Sequence, residues 1–153
     1  MIDRLKAWLT EGQEGLSNGR DELQLAVAAL LMEAAQVDGH LDEPERMAAQ
    51  RVLARRFGLS ASDARHLAAL AESRAERSTQ LFGFTRVVNE RLPREQRIQL
   101  IEMLWEVAYA DGVLDPLEDA MLRRVAGLVD VSDHERGAAR LRTQRRLGIA
   151  DAG

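Results

Sequence analysis

The sequence predicts an all-α, single-domain fold of seven to eight helices, built as an internal duplication. Three observations carry that prediction. Ala and Leu abound while aromatic residues make up only 4% of the 153-residue chain, which favours helices over strands. Apolar residues recur at helical spacing in one segment after another, and none alternates with period two for long enough to be a strand. An eight-residue pattern also occurs twice, as Asp38-Gly39-His40-Leu41-Asp42-Glu43-Pro44-Glu45 and as Asp111-Gly112-Val113-Leu114-Asp115-Pro116-Leu117-Glu118, offset by 73 residues.

The repeat extends outward. Leu31, Glu33, Ala35, Arg51 and Val52 align with Leu104, Glu106, Ala108, Arg124 and Val125, so that ten of the 22 positions from Leu31 to Val52 are identical. Halves of about 20–77 and 94–147 follow, related by a pseudo-two-fold axis and sharing one core.

Each element has its own signals. Residues 1–19 are an N-terminal segment, with Ile2, Leu5, Trp8 and Leu9 at amphipathic spacing and a flexible joint over Gly12, Gly15, Ser17, Asn18 and Gly19. Docking on the parent core or on a second copy suits the Trp8 segment better than a membrane surface, since only Arg4 and Lys6 are basic there. From about 20 to 37, Leu23, Val27, Leu30, Leu31 and Ala34 form one buried stripe, and Gly39 suits the left-handed position that closes a helix. Asp42 is an N-cap for the next helix, with Pro44 in its first turn and Glu45 completing a capping box; it runs to Phe57 and stops at Gly58. Ser60 and Asp63 open a helix to about Arg77, and another covers 79–91. Pro93 begins the helix of the second repeat, with the stripe Leu100, Met103, Leu104 and Val107. Asp115, Pro116 and Glu118 restate the start signal, and Val129 or Asp130 ends that helix. Ser132 and Glu135 open the last one, and residues 148–153 read as a frayed tail.

Composition excludes several functions. The absence of cysteine removes disulfides, zinc–thiolate sites, iron–sulfur clusters and thiol nucleophiles together. No apolar run is long enough to span a membrane, and Met1-Ile2-Asp3-Arg4-Leu5-Lys6 lacks a signal-peptide core, so a cytoplasmic location is expected. A net charge of −4 argues against general nucleic-acid affinity. No Ser-His-Asp spacing, phosphate loop or Gly-rich nucleotide motif occurs.

The acidic turns carry the functional question. Asp42 with Glu45, and Asp115 with Glu118, are explained by capping, because their charges favour the positive end of a helix dipole. Asp38 and Asp111 sit instead at the ends of helices, where negative charge is unfavourable, and, if the helix persists that far, their spacing from Leu31 and Leu104 turns them toward the apolar side. A charge so placed needs a partner. One reading supplies it from the following helix start or from Arg51 or Arg124; the other supplies a divalent cation. The pattern matches the back half of a calcium-binding loop, but the front ligand positions would be Ala34 and Gln36 in one copy and Val107 and Tyr109 in the other. Calcium wants roughly 6–8 oxygens, so acids from more than one element would have to converge.

At Leu-Met-Glu-Ala-Ala-x-x-Asp-Gly-x-Leu-Asp (Leu31 to Asp42) and Glu-Val-Ala-Tyr-Ala-Asp-Gly-x-Leu-Asp (Glu106 to Asp115), each followed by a Glu, the chain resembles the TerB-like family of tellurite-resistance proteins. A related domain forms the N-terminal cytoplasmic part of some J-domain co-chaperones, although this sequence carries no J-domain and no transmembrane anchor. The resemblance covers residues 20–147. It implies an all-helical fold, a bacterial source, an acidic metal-binding centre and a stress-response role near the membrane. The family's acidic positions fall on Asp38, Asp42, Glu45, Asp111, Asp115 and Glu118.

The last helix is basic, with Arg136, Arg140, Arg142, Arg145 and Arg146 and no acid after Glu135. Cations suit a solvated helix C-terminus, and the aromatics that would stack bases are missing, so an acidic protein partner is favoured over nucleic acid. His40 has no counterpart in the second turn, and His66 and His134 are expected at the surface. The expected function is a non-enzymatic helical binding module. It binds a protein partner that can be membrane-associated, with or without calcium, magnesium or zinc. A metal-dependent hydrolase using the acids of both turns, or a structural homo-oligomer, are the alternatives.

Overall fold

The computed structural model describes residues 17–36, 43–77, 82–109 and 116–149. Seven helices, and no strand, occur among the described residues: α1 (Ser17–Ala35), α2 (Glu43–Phe57), α3 (Ala61–Arg77), α4 (Phe82–Arg91), α5 (Arg94–Ala108), α6 (Pro116–Leu128) and α7 (Asp133–Leu147). The fold class follows the sequence prediction. The amphipathic spacing at 2–10, both Asp-Gly turns and the last four residues lie outside the described residues.

Two helices make the centre. In α1 the expected stripe is buried, and Ala26, Ala28, Ala29, Met32 and Ala35 are buried with it, so from Ala26 to Leu31 the helix is apolar all round. A helix of that kind is enclosed on every side rather than laid on a surface. It accordingly packs against α2, α3, α4, α5 and α6. The second enclosed helix is α5, buried without a break from Leu100 to Ala108, and it meets α1, α2, α6 and α7. The small Ala residues of α1 permit this close approach, while Trp105, Leu104 and Met103 fill the volume between.

Helix ends show the local chemistry. Three chain reversals place a residue in the left-handed region within two positions of a helix end: Gly58 (φ 65°), Asp130 (φ 62°) and Gly148 (φ 72°). In each, the following amide reaches back five residues, Leu59 to Ala54 at 3.0 Å, Val131 to Ala126 at 2.8 Å and Ile149 to Gln144 at 2.9 Å. These are Schellman closures, which satisfy carbonyls that the helix leaves open. The last helix opens with the predicted capping box: Ser132 Oγ accepts from the Glu135 amide at 3.1 Å, and Glu135 accepts from the Ser132 amide at 2.9 Å.

Three boundaries differ from the sequence reading. Ser17, Asn18 and Gly19, expected in a joint, belong to the first turn of α1. That helix stops at Ala35, with the Gln36 amide still bonded to the Met32 carbonyl. Gly148 and Ile149, expected to fray, close α7 instead, because Ile149 is half-buried against the core.

Candidate functional site

The charged centre of the described structure is an arginine–glutamate cluster on α5. Glu102 and Glu106 stand one turn apart on that helix, so both carboxylates lie on one face. Both are buried, at 8% and 5% exposure. Glu106 also sits near the C-terminal end of its helix, where the dipole repels an anion. Burial and dipole together demand strong cationic partners.

Four arginines supply them. From the last turn of α2, Arg55 and Arg56 both bond Glu106, and Arg56 Nε reaches Oε1 at 3.0 Å. Arg56 also lies 3.8 Å from Glu102. From α7, Arg142 donates to Glu102 at 3.1 Å, while Arg146 spans both acids, at 3.4 Å from Glu102 and in close contact with Glu106. Arg142 and Arg146 are one turn apart on their own helix, which is why both reach α5. The cluster therefore ties both α2 and α7 to one face of the central helix.

One turn beyond Glu106's neighbour Trp105 lies Tyr109. Its hydroxyl accepts from Arg140 Nε at 2.7 Å and from Gln144 at 3.0 Å. The Arg140 guanidinium lies 5.4 Å from the centre of the Trp105 ring, and the Trp105 and Tyr109 rings stack at 5.9 Å. A cation over an aromatic face gains an attraction beyond its hydrogen bond. The arginines of the last helix are thus largely spoken for: Arg140, Arg142 and Arg146 turn inward, and Arg136 pairs with Asp133 at 2.6 Å. This corrects the expectation of a solvated basic stripe over 136–146. Arg145 remains exposed.

Beside the cluster opens a cleft of about 340 Å³, lined by Ala48, Arg51, Val52 and Arg55 of α2, Glu106 and Tyr109 at the end of α5, and Leu147 and Ile149. Arg51 is exposed and meets no partner among the described residues. A second, smaller hollow of about 250 Å³ lies between α2 and α3, where Arg46 bonds Glu72 through two nitrogens at 3.2 and 3.3 Å. That bond, foremost, holds the Arg46 guanidinium protonated more firmly than usual.

Of the six expected acidic positions, Asp38, Asp42, Asp111 and Asp115 lie outside the described residues. Glu45 and Glu118 are half-buried in the first turns of α2 and α6, and both are engaged with other groups. Among the described residues, no three His, Cys, Asp or Glu side chains gather as a metal ion would need. The described acids alone therefore do not fit a metal. Glu33, the sequence counterpart of Glu106, behaves differently from it: half-buried and without a partner among the described residues, its carboxyl is pushed above the usual carboxylate range by burial.

Sequence reasoning missed the arginine–glutamate cluster, although a signal was present. Glu102 and Glu106 interrupt an apolar run from Leu100 to Ala108, and acids inside such a run require partners. Arg142 and Arg146, in a stretch with no acid after Glu135, were half of the complement.

No helix among the described residues is long and apolar enough to cross a membrane. A family model described as tellurite resistance protein TerB matches residues 24–141. No curated protein and no solved structure gives a match.

Proposed function

The chain belongs to the TerB family, whose model covers most of its length, and from that premise we propose that it is a non-enzymatic helical binding module. The observation that carries this reading is the arginine–glutamate cluster, which fixes α2, α5 and α7 in one frame. Prearranged charge on a rigid helical body suits electrostatically steered docking of a protein partner. The same cluster argues against acid–base catalysis by the buried glutamates. Glu102 and Glu106 are each held by more than one guanidinium, so their oxygens are taken up by internal ion pairs rather than presented to a substrate.

The module works in the bacterial cytoplasm, in a stress-response or envelope-associated complex, as the family's tellurite-resistance description suggests. Divalent-cation binding belongs to the same proposal. Asp38, Asp42, Glu45, Asp111, Asp115 and Glu118 recur in two copies of one acidic sequence pattern, and calcium, magnesium or zinc would offset the negative charge that each copy carries. Calorimetric titration of each ion into the parent, Asp38→Asn and Asp111→Asn tests this. Binding in the parent that both substitutions weaken supports the cation; no heat at millimolar ion leaves the acids as helix caps.

A further inference from the structure

We infer that the cleft between α2 and α7 is the docking groove for an acidic segment of a protein partner, one that also inserts an apolar side chain. The inference rests on the binding-module reading and supplies the chemistry of what is bound.

Charge makes the first part of the case. Four guanidiniums converge on Glu102 and Glu106, leaving positive charge in excess, and Arg51 adds another that meets no partner among the described residues. Arg51 and Arg55 are one turn apart on α2 and line the same wall. Arg55 is half-exposed, with 49% of its side chain in solvent, even while it holds Glu106. Guanidinium forks match carboxylates in a two-pronged geometry that a point charge cannot offer. Near a low-dielectric floor such pairs are stronger than on an open surface.

Apolar surface makes the second part. Leu147, across the cleft from Arg51, is 40% exposed, and Met47, one turn before Arg51, is 49% exposed. Both are large side chains left in water beside the cationic wall. A small inorganic anion would use the arginines and leave these two uncovered. Nucleic acid would need an accessible stacking face, and the one aromatic among the described lining residues, Tyr109, is only 5% exposed. An acidic peptide segment with an apolar residue among its carboxylates covers both features at once. Leu147 and Ile149 lie beyond the 24–141 family match, so the wall they form is a property of the chain rather than of the matched region.

The test is fluorescence anisotropy with a short labelled peptide of alternating Glu and Leu, read against Glu–Ser and Lys–Leu peptides of the same length. The Glu–Leu peptide should bind saturably at low salt and more weakly as salt rises. Arg51→Glu should weaken it by about tenfold or more, the loss expected of charge-assisted bonds. Leu147→Ser should weaken it as well. Arg86→Glu, the same charge change on α4, which packs against α1 and α6, should leave binding unchanged. All three positions are exposed, and thermal melts of the variants are to check that each keeps the parent fold. Equal binding by the parent and Arg51→Glu, or no saturable binding, overturns the inference. Equal affinity for the Glu–Ser peptide with Leu147→Ser silent overturns it in favour of a small oxyanion. Sedimentation showing a parent dimer that Arg51→Glu dissociates overturns it in favour of a second copy. If the groove fails while the chain still captures a protein in a chelator-sensitive manner, the binding-module reading stands and the groove assignment alone falls.

Discussion

Replacing Glu106 with Ala removes the acid that Arg55, Arg56 and Arg146 share, and the three arginines respond differently. The Arg55 and Arg146 side chains are 49% and 31% exposed, so both can turn to water. Each loses an interaction of the surface class, worth about 0–1 kcal/mol. The Arg56 side chain is 8% exposed and cannot turn away. Breaking a buried pair by deleting one partner costs roughly 3–5 kcal/mol, because the surviving charge is left uncompensated. Glu102, at 3.8 Å, takes up part of that charge and sets the expectation near the lower end, about 3 kcal/mol. Against a total stability of roughly 5–15 kcal/mol this is a large fraction. For a domain of this size it lowers the melting temperature by roughly 6–12 °C. Circular dichroism melts and urea titrations of the parent and Glu106→Ala measure it. The double replacement of Arg56 by Met and Glu106 by Leu should recover much of the loss, since an apolar pair leaves no buried charge behind. A Glu106→Ala protein melting within a degree of the parent would refute the reasoning, as would a double variant less stable than the single one.

Three further predictions follow from the local chemistry. Gly137 is exposed within α7 and an added Cβ meets nothing within 4 Å, so Gly137→Ala should raise stability by about 0.5–1 kcal/mol in a urea titration. Ser132→Ala breaks the capping box of α7 and should cost about 1 kcal/mol. Glu135, held below the usual carboxylate range chiefly by the Ser132 amide, contributes stability that is present above the ordinary carboxylate pKa and lost as pH falls through its folded value, so acid should erode the parent's capping box from the Glu135 side. Glu33 runs the opposite way. Its carboxyl titrates above its unfolded value, so ionising it costs stability as pH rises through the folded value. Glu33→Gln, melted in chelator, should be more stable than the parent at neutral pH, with the gap closing below about pH 4.

The helices were legible because their start and stop signals are local. Ser132 with Glu135, Ser60 with Asp63, and Gly58 each act within a few residues, and each appears where the sequence places it. The stripe Leu23, Val27, Leu30, Leu31 and Ala34 was equally readable, but the near-complete burial of α1 was not. Alanine is compatible with surface or core, and only the five neighbouring helices decide which. Asp130 in the left-handed region was half legible: Asp tolerates that conformation better than most residues, yet the sequence could not choose between Val129 and Asp130 as the end. The charged cluster was the hardest part. Its pairs join residues 40–51 positions apart, and helical periodicity carries no information at that range. The duplication is an expectation drawn from the sequence identities alone. One aligned pair, Glu33 and Glu106, occupies two different environments, the first without a partner among the described residues and the second holding three arginines.

The binding-module account is tested most directly by capture of partners from a bacterial lysate on the immobilised chain, with and without chelator and at low and high salt. The account predicts a reproducible protein partner whose retention falls as salt rises, is reduced by Arg51→Glu, and is unaffected by Arg86→Glu. Metal-dependent turnover of a phosphoester or peptide by the pure chain, lost in Asp38→Asn, would contradict it and make the acidic turns an active site.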